Sequence, residues 1–89
     1  MVHNETLIKR IEILNVLYNH HAEMTLEEIG IAVNLKDSVL RNYLLDMLSQ
    51  GLISRRGTKG AKLSGKKGNP YQYYILPNGI NTLRFLGLI

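Results

Sequence analysis

Apolar side chains recur at helical spacing over residues 5–20, ETLIKRIEILNVLYNH, where Leu7, Ile8, Ile11, Leu14, Leu17 and Tyr18 fall along one stripe. Asn4 suits the N-cap and Glu5 the first turn. Ile13 and Val16 widen the apolar surface beyond that stripe. A surface helix buries a single stripe, so the width predicts packing on two sides, one of them a candidate contact with another chain.

Residues 25–33, TLEEIGIAV, begin with Thr25 and Glu28 in the S/T-x-x-E spacing of a capping box. Leu26, Ile29 and Val33 form the buried stripe of this second helix. Gly30 lies inside it, where glycine costs ~1 kcal/mol against alanine; a missing side chain there would let another helix come close. Asn34 ends the helix and Leu35 follows as an apolar plug. A new start comes at Lys36, Asp37 and Ser38, with Asp37 or Lys36 at the cap. Residues 38–50, SVLRNYLLDMLSQ, continue as a helix with Leu40, Tyr43, Leu44, Met47 and Leu48 facing inward, and Gly51 fits the C′ position that closes it. Two helices joined this tightly have the layout of a helix-turn-helix.

Past the third helix the period shortens. Residues 52–56, LISRR, start a strand, and residues 71–76, YQYYIL, rich in aromatic residues, read as a second one bounded by Pro70 and Pro77. The glycine-rich segment between them makes the pair a β-hairpin wing. Residues 78–87 read as a last helix with Asn78 at its cap and Ile80, Leu83 and Phe85 or Leu86 on its apolar face; the apolar tail beyond predicts burial on this domain or a second subunit. The chain is therefore expected to be mainly α with a small β-hairpin (α+β), a winged helix-turn-helix in the order helix, helix, helix, strand, wing, strand, helix. One domain over residues 1–89, with the wing at about 57–70, accounts for all of it.

Charge sharpens this picture. Residues 1–54 carry four bases and seven acids, whereas residues 55–68 carry six bases (Arg55, Arg56, Lys59, Lys62, Lys66 and Lys67) and no acid. The net charge of +4 thus arises in one short stretch. Like charges so close together repel, and a polyanion relieves them; the plainer reading is a solvated loop kept basic for solubility. Without cysteine, disulfides and thiolate chemistry are excluded. No apolar run nears the ~18 residues of a membrane span, and MVHNETLIKR lacks a signal-peptide layout. A cytoplasmic protein with no membrane association is expected.

The order of these elements resembles the winged helix-turn-helix superfamily, in particular small regulators of the MarR, ArsR and PadR kind and small winged-helix proteins of archaea and their viruses. Thr25-Leu26-Glu27-Glu28-Ile29-Gly30 and Leu35-Lys36-Asp37-Ser38-Val39-Leu40-Arg41 carry the likeness, with Leu44 and Met47 leading into Gly51-Leu52-Ile53-Ser54-Arg55-Arg56. Tyr73-Tyr74-Ile75-Leu76-Pro77-Asn78-Gly79 is similar to the superfamily's Tyr-x-Leu-Thr-x-x-Gly. The chain departs from the pattern in having Gly30 where alanine is usual and Leu76 where a helix-capping threonine is usual.

The resemblance implies double-stranded DNA as partner and transcription regulation as role. In such docking the second helix of the pair, here residues 37–50, lies in the major groove with its N-terminal residues on base edges. Arg41 and Asn42 suit guanine and adenine, Ser38 a phosphate or base, and Val39 a thymine methyl; Lys36 lies at the same end. Asp37, unfavourable near phosphate, is assigned to capping. Arg41 paired with Asp37 or Asp46, and Asn42 merely solvated, are the alternatives. Lys59, Lys62, Lys66 and Lys67 are expected on the phosphate backbone or in the minor groove. Arg55 and Arg56, adjacent on a strand, point to opposite faces, so one of them at most faces DNA and the other is free to pair with an acid of the body. A homodimer through residues 7–18 and 80–89 would set two reading helices about 34 Å apart. A winged-helix protein–protein adaptor and an RNA or replication-origin binder are the competing readings. Neither a metal site nor an enzyme is expected: His20 and His21 diverge by about 100° on a helix, the acids show no evident catalytic pairing, and no cofactor motif is present.

Overall fold

The computed structural model describes residues 4–21, 23–57 and 71–89. Along them run α1 (Asn4–His20), β1 (Met24–Thr25), α2 (Leu26–Val33), α3 (Asp37–Ser49), β2 (Ile53–Gly57), β3 (Tyr71–Ile75) and α4 (Pro77–Phe85). This is a winged helix-turn-helix fold. The expected cap at Asn4 and first-turn Glu5 concern side chains outside the described part, as do Lys59, Lys62, Lys66, Lys67 and Pro70.

Local chemistry sets the helix-turn-helix. The Thr25 side chain accepts a hydrogen bond from the Glu28 amide at 3.1 Å, and Glu28 accepts one from the Thr25 amide at 2.9 Å, so the capping box is complete. At the other end of α2, Asn34 takes the left-handed conformation (φ 56°, ψ 55°), which asparagine tolerates better than most residues. The Leu35 amide then donates to the Gly30 carbonyl at 3.1 Å. Lys9 of α1 adds its ammonium to the Val33 carbonyl at 3.0 Å, a positive charge at a helix C-terminus that has no basic residue of its own. Lys36 is the N-cap of α3 and makes no side-chain capping bond. The capping role expected of Asp37 is therefore corrected: it is the first residue inside α3, where its charge faces the positive end of the helix dipole.

Gly51 closes α3. At φ +74° it turns the chain so that its own amide donates to Leu48 and the Leu52 amide to Met47, each at 3.1 Å. This Schellman arrangement satisfies the last carbonyls and aims the chain into β2. β2 and β3 pair antiparallel, with Ile53 opposite Ile75 and Arg55 opposite Tyr73. β1 adds to the other side of β3, Met24 opposite Tyr73, giving the sheet order β1-β3-β2.

The core joins every element: Ile13, Leu14 and Leu17 of α1, Met24, Leu26, Ile29, Val33, Leu40, Leu44, Met47, Ile53, Tyr73 and Leu83 are buried. α1 departs from the expected stripe. Ile13 is wholly buried, whereas Leu7 and Ile8 are more than half exposed; the core lies against the later turns of α1, and its first turns leave apolar side chains in solvent. α4 departs too. Its N-cap is Leu76, without a side-chain bond, and Pro77 occupies the first turn, so Asn78 is no cap. Proline needs no amide partner there, which explains how the helix starts without the usual threonine. Leu83 is buried as expected, but Phe85 is 88% exposed and Leu86, Leu88 and Ile89 are also exposed on this single chain.

Candidate nucleic-acid interface

The inner side of α3 is fixed by Leu40, Leu44 and Met47, each buried to 1% exposure or less. At about 100° per residue the opposite side must carry Ser38, Asn42, Leu45 and Ser49, with Arg41 on one flank and Val39 and Asp46 on the other. The exposure pattern agrees: Lys36, Asp37, Ser38, Val39, Arg41, Asn42 and Leu45 are all exposed. Five expected site residues, Lys36, Ser38, Val39, Arg41 and Asn42, are thus brought together at the first turns of one helix, on its solvent side.

Neither acid expected as a partner for Arg41 takes that part. Asp46 is held by Arg10 of α1 and also accepts from the Gln50 side chain at 3.4 Å. Among the described residues Arg41 forms no ion pair, and Asn42 makes no side-chain hydrogen bond. Asn42 thus fits the solvated alternative as well as a base-reading role. The Arg10–Asp46 pair has an electrostatic consequence: it neutralises the carboxylate on the flank of α3, so the exposed face retains the charges of Lys36 and Arg41 against the single charge of Asp37. Thr6, Arg10, Val39, Asn42, Tyr43 and Asp46 line a shallow groove of about 310 Å³ between α1 and α3. Val39 therefore sits on the α1 side of the helix, apart from Arg41.

The two arginines of β2 do separate to opposite faces. The Arg55 guanidinium lies 4.0 Å from the centre of the Tyr71 ring, on the face that carries Tyr73 and Ile53. Stacking of this kind restrains the guanidinium plane. Arg56 is the one that meets an acid, Glu23 just before β1, at 2.7 Å. Tyr71 also packs edge-on against Tyr73, with centroids 6.5 Å apart. Lys59, Lys62, Lys66 and Lys67 belong to the segment joining these strands and lie outside the described residues.

Sequence reading missed Arg10, Glu23 and Leu45. The first two act through tertiary neighbours far away in sequence, which no spacing reveals. Leu45 was legible, since it follows Arg41 by one helical turn. Among the described residues no group of three metal-ligating side chains gathers, and no helix is long and apolar enough to cross a membrane.

Neither a protein-family model nor a curated protein matches the sequence. Solved structures do match the fold. A MarR family transcriptional regulator from Silicibacter pomeroyi superposes with a TM-score of 0.70 at 13% identity, over 88% of this chain and 48% of that one. MepR from S. aureus, a variant from a multidrug-resistant clinical isolate, gives 0.75 at 18% identity over 89% and 53%. Another MepR variant, bound to an oligodeoxyribonucleotide, gives 0.68 at 18% over 85% and 51%. The homodimeric winged helix-turn-helix DNA-binding domain of a Mycobacterium bovis protein gives 0.63 at 22% over 93% and 68%. The chain spans about half the length of the MarR family and MepR structures. At these identities the likeness is one of fold.

Proposed function

We propose that this chain binds double-stranded DNA sequence-specifically, as a homodimer, and regulates transcription. α3 enters the major groove. Arg41 and Asn42 read base edges, Ser38 and Val39 assist, and Lys36 meets the backbone. Arg55 and the lysines at 59, 62, 66 and 67 neutralise phosphates, while Arg56 stays with Glu23. The observation that carries this reading is that Arg41 and Asn42, on the solvent side of the second helix of the pair, form no ion pair or side-chain hydrogen bond among the described residues, in a chain whose excess positive charge lies in the hairpin segment that follows it. The MepR variant that shares this fold over about half of its length is bound to an oligodeoxyribonucleotide.

The homodimer reading draws on the apolar side chains of α1 and α4 that the core leaves out. Leu7, Leu52, Phe85 and Leu86 line a groove of about 540 Å³, and Ile8, Leu88 and Ile89 are exposed as well. Gln50, Asn78, Asn81 and Thr82 complete the groove, so it offers a second copy apolar contacts with polar groups among them. The Mycobacterium bovis domain of this fold is itself homodimeric.

Duplex binding measured over a salt series tests the central part. The log–log slope is expected near −0.9 per phosphate contacted, so affinity falls steeply as salt rises. Absence of duplex binding at low salt overturns the proposal. Replacing Lys59, Lys62, Lys66 and Lys67 together by alanine is expected to shallow the slope and weaken all sequences alike. Sedimentation at micromolar concentration is expected to give twice the 10.1 kDa chain mass; a species of single mass contradicts the dimer.

A further inference from the structure

We infer that Leu45 is a specificity residue that reads the C5 methyl group of thymine in the major groove. The inference rests on the reading of α3 as the DNA-contacting helix and adds a base preference to it. Leu45 is 54% exposed, and by the 100° step per residue it lies on the outer side of α3, towards Arg41. It follows Ser38 by two turns, Arg41 by four residues and Asn42 by three, so these four side chains form one surface. Val39 stands farther round, about 120° from Leu45 by the 100° step per residue, beside Asn42 in the groove that both line with Thr6 and Arg10.

A single exposed leucine is ordinary on a protein surface. Its neighbours make this one informative. Ser38, Arg41 and Asn42 offer hydrogen-bonding groups, and Leu45 completes the same face with a group that offers none. Against the floor of the major groove its only matching partner is apolar, and among the four bases thymine alone shows a methyl there. Leucine packed on that methyl removes both from water. Cytosine in the same place would present its N4 amino donors to a side chain that accepts no bond, and an unpaired desolvated donor is costly. Leu45 therefore favours thymine by attraction and disfavours cytosine by desolvation, next to the hydrogen-bonded contacts of Arg41 and Asn42.

The test uses the full chain and duplexes selected by it from a random-sequence pool. Each selected thymine is replaced in turn by deoxyuridine, which removes the methyl and nothing else. At one position the wild type is expected to lose about fourfold in affinity, the equivalent of the ~0.8 kcal/mol of one buried methylene. Leu45→Ala should bind the thymine and deoxyuridine duplexes equally, and Leu45→Met should keep the discrimination. Because the side chain is exposed, far-UV circular dichroism of Leu45→Ala should match the wild type. Wild-type binding that is indifferent to deoxyuridine at every position overturns the inference while leaving DNA binding standing. A Leu45→Ala variant that retains the fourfold preference overturns it too. A pool that yields no enriched duplex overturns the underlying reading instead.

Discussion

Gly79→Ala puts the packing of α4 under test. A Cβ at this buried position would lie 2.4 Å from the Leu52 carbonyl oxygen, 2.7 Å from Ile75 Cγ1 and 3.1 Å from Leu14 Cδ2. The leucine methyl sits at the end of a flexible side chain and can swing aside. The Leu52 oxygen cannot: its peptide is fixed between the Schellman end of α3 and the hydrogen bond it accepts from Leu76 at 3.0 Å. Overpacking costs up to ~3 kcal/mol, and alanine regains ~1 kcal/mol of helix propensity. The balance is a loss of about 2 kcal/mol, a large share of what a domain of this size possesses. Thermal unfolding followed by far-UV circular dichroism should show Tm lower by roughly 8–16 °C, at 4–8 °C per kcal/mol for a small domain. Gly30→Ala is the internal comparison. Its Cβ would meet the Leu35 oxygen at 3.3 Å and Leu40 Cδ2 at 3.5 Å, and the small adjustment required nearly cancels the propensity gain. That variant should remain within about 1 kcal/mol of wild type. An unchanged or raised Tm for Gly79→Ala refutes the seating of α4 on the hairpin base.

Three further outcomes follow from the interface. Arg10→Ala uncovers the Asp46 carboxylate on the flank of α3 and should weaken duplex binding, and adding Asp46→Asn should restore most of it; titrations of both variants on one duplex check this. Glu23→Gln releases Arg56, which lies on the face opposite Arg55, so the salt slope of duplex binding should stay unchanged, and stability should change by less than about 1 kcal/mol because the Arg56 side chain is 65% exposed; a salt series and urea unfolding read the two effects. Thr25→Ala removes half of the capping box and should cost ~1 kcal/mol in urea unfolding.

The helix-turn-helix was legible because its signals are local. Thr25 and Glu28 satisfy each other three residues apart, Asn34 and Gly51 supply left-handed turns, and the inner side of α3 repeats Leu40, Leu44, Met47. The same periodicity located the exposed candidates Lys36, Ser38, Arg41 and Asn42. β1 was illegible: a two-residue strand has no alternation, and it exists because Met24 and Thr25 find Tyr73 and Gln72. α1 misled because it is apolar on more than one side, so that period alone does not decide whether Leu7 and Ile8 or Ile13 faces the core. Tertiary packing decides it. The partners of Asp46 and Arg56 are likewise set by how α1 crosses α3 and by how β1 flanks the hairpin, and such pairings leave no trace in residue spacing.

Base discrimination by Arg41→Ala and Asn42→Ala bears most directly on α3 as the reading helix. Each variant is titrated against the selected duplex and a panel with every base pair replaced singly. Each should lose ~1–3 kcal/mol of preference at its own base pair and keep the wild-type pattern elsewhere. Variants that weaken all duplexes equally, or leave the pattern intact, contradict the assignment of α3 to the groove.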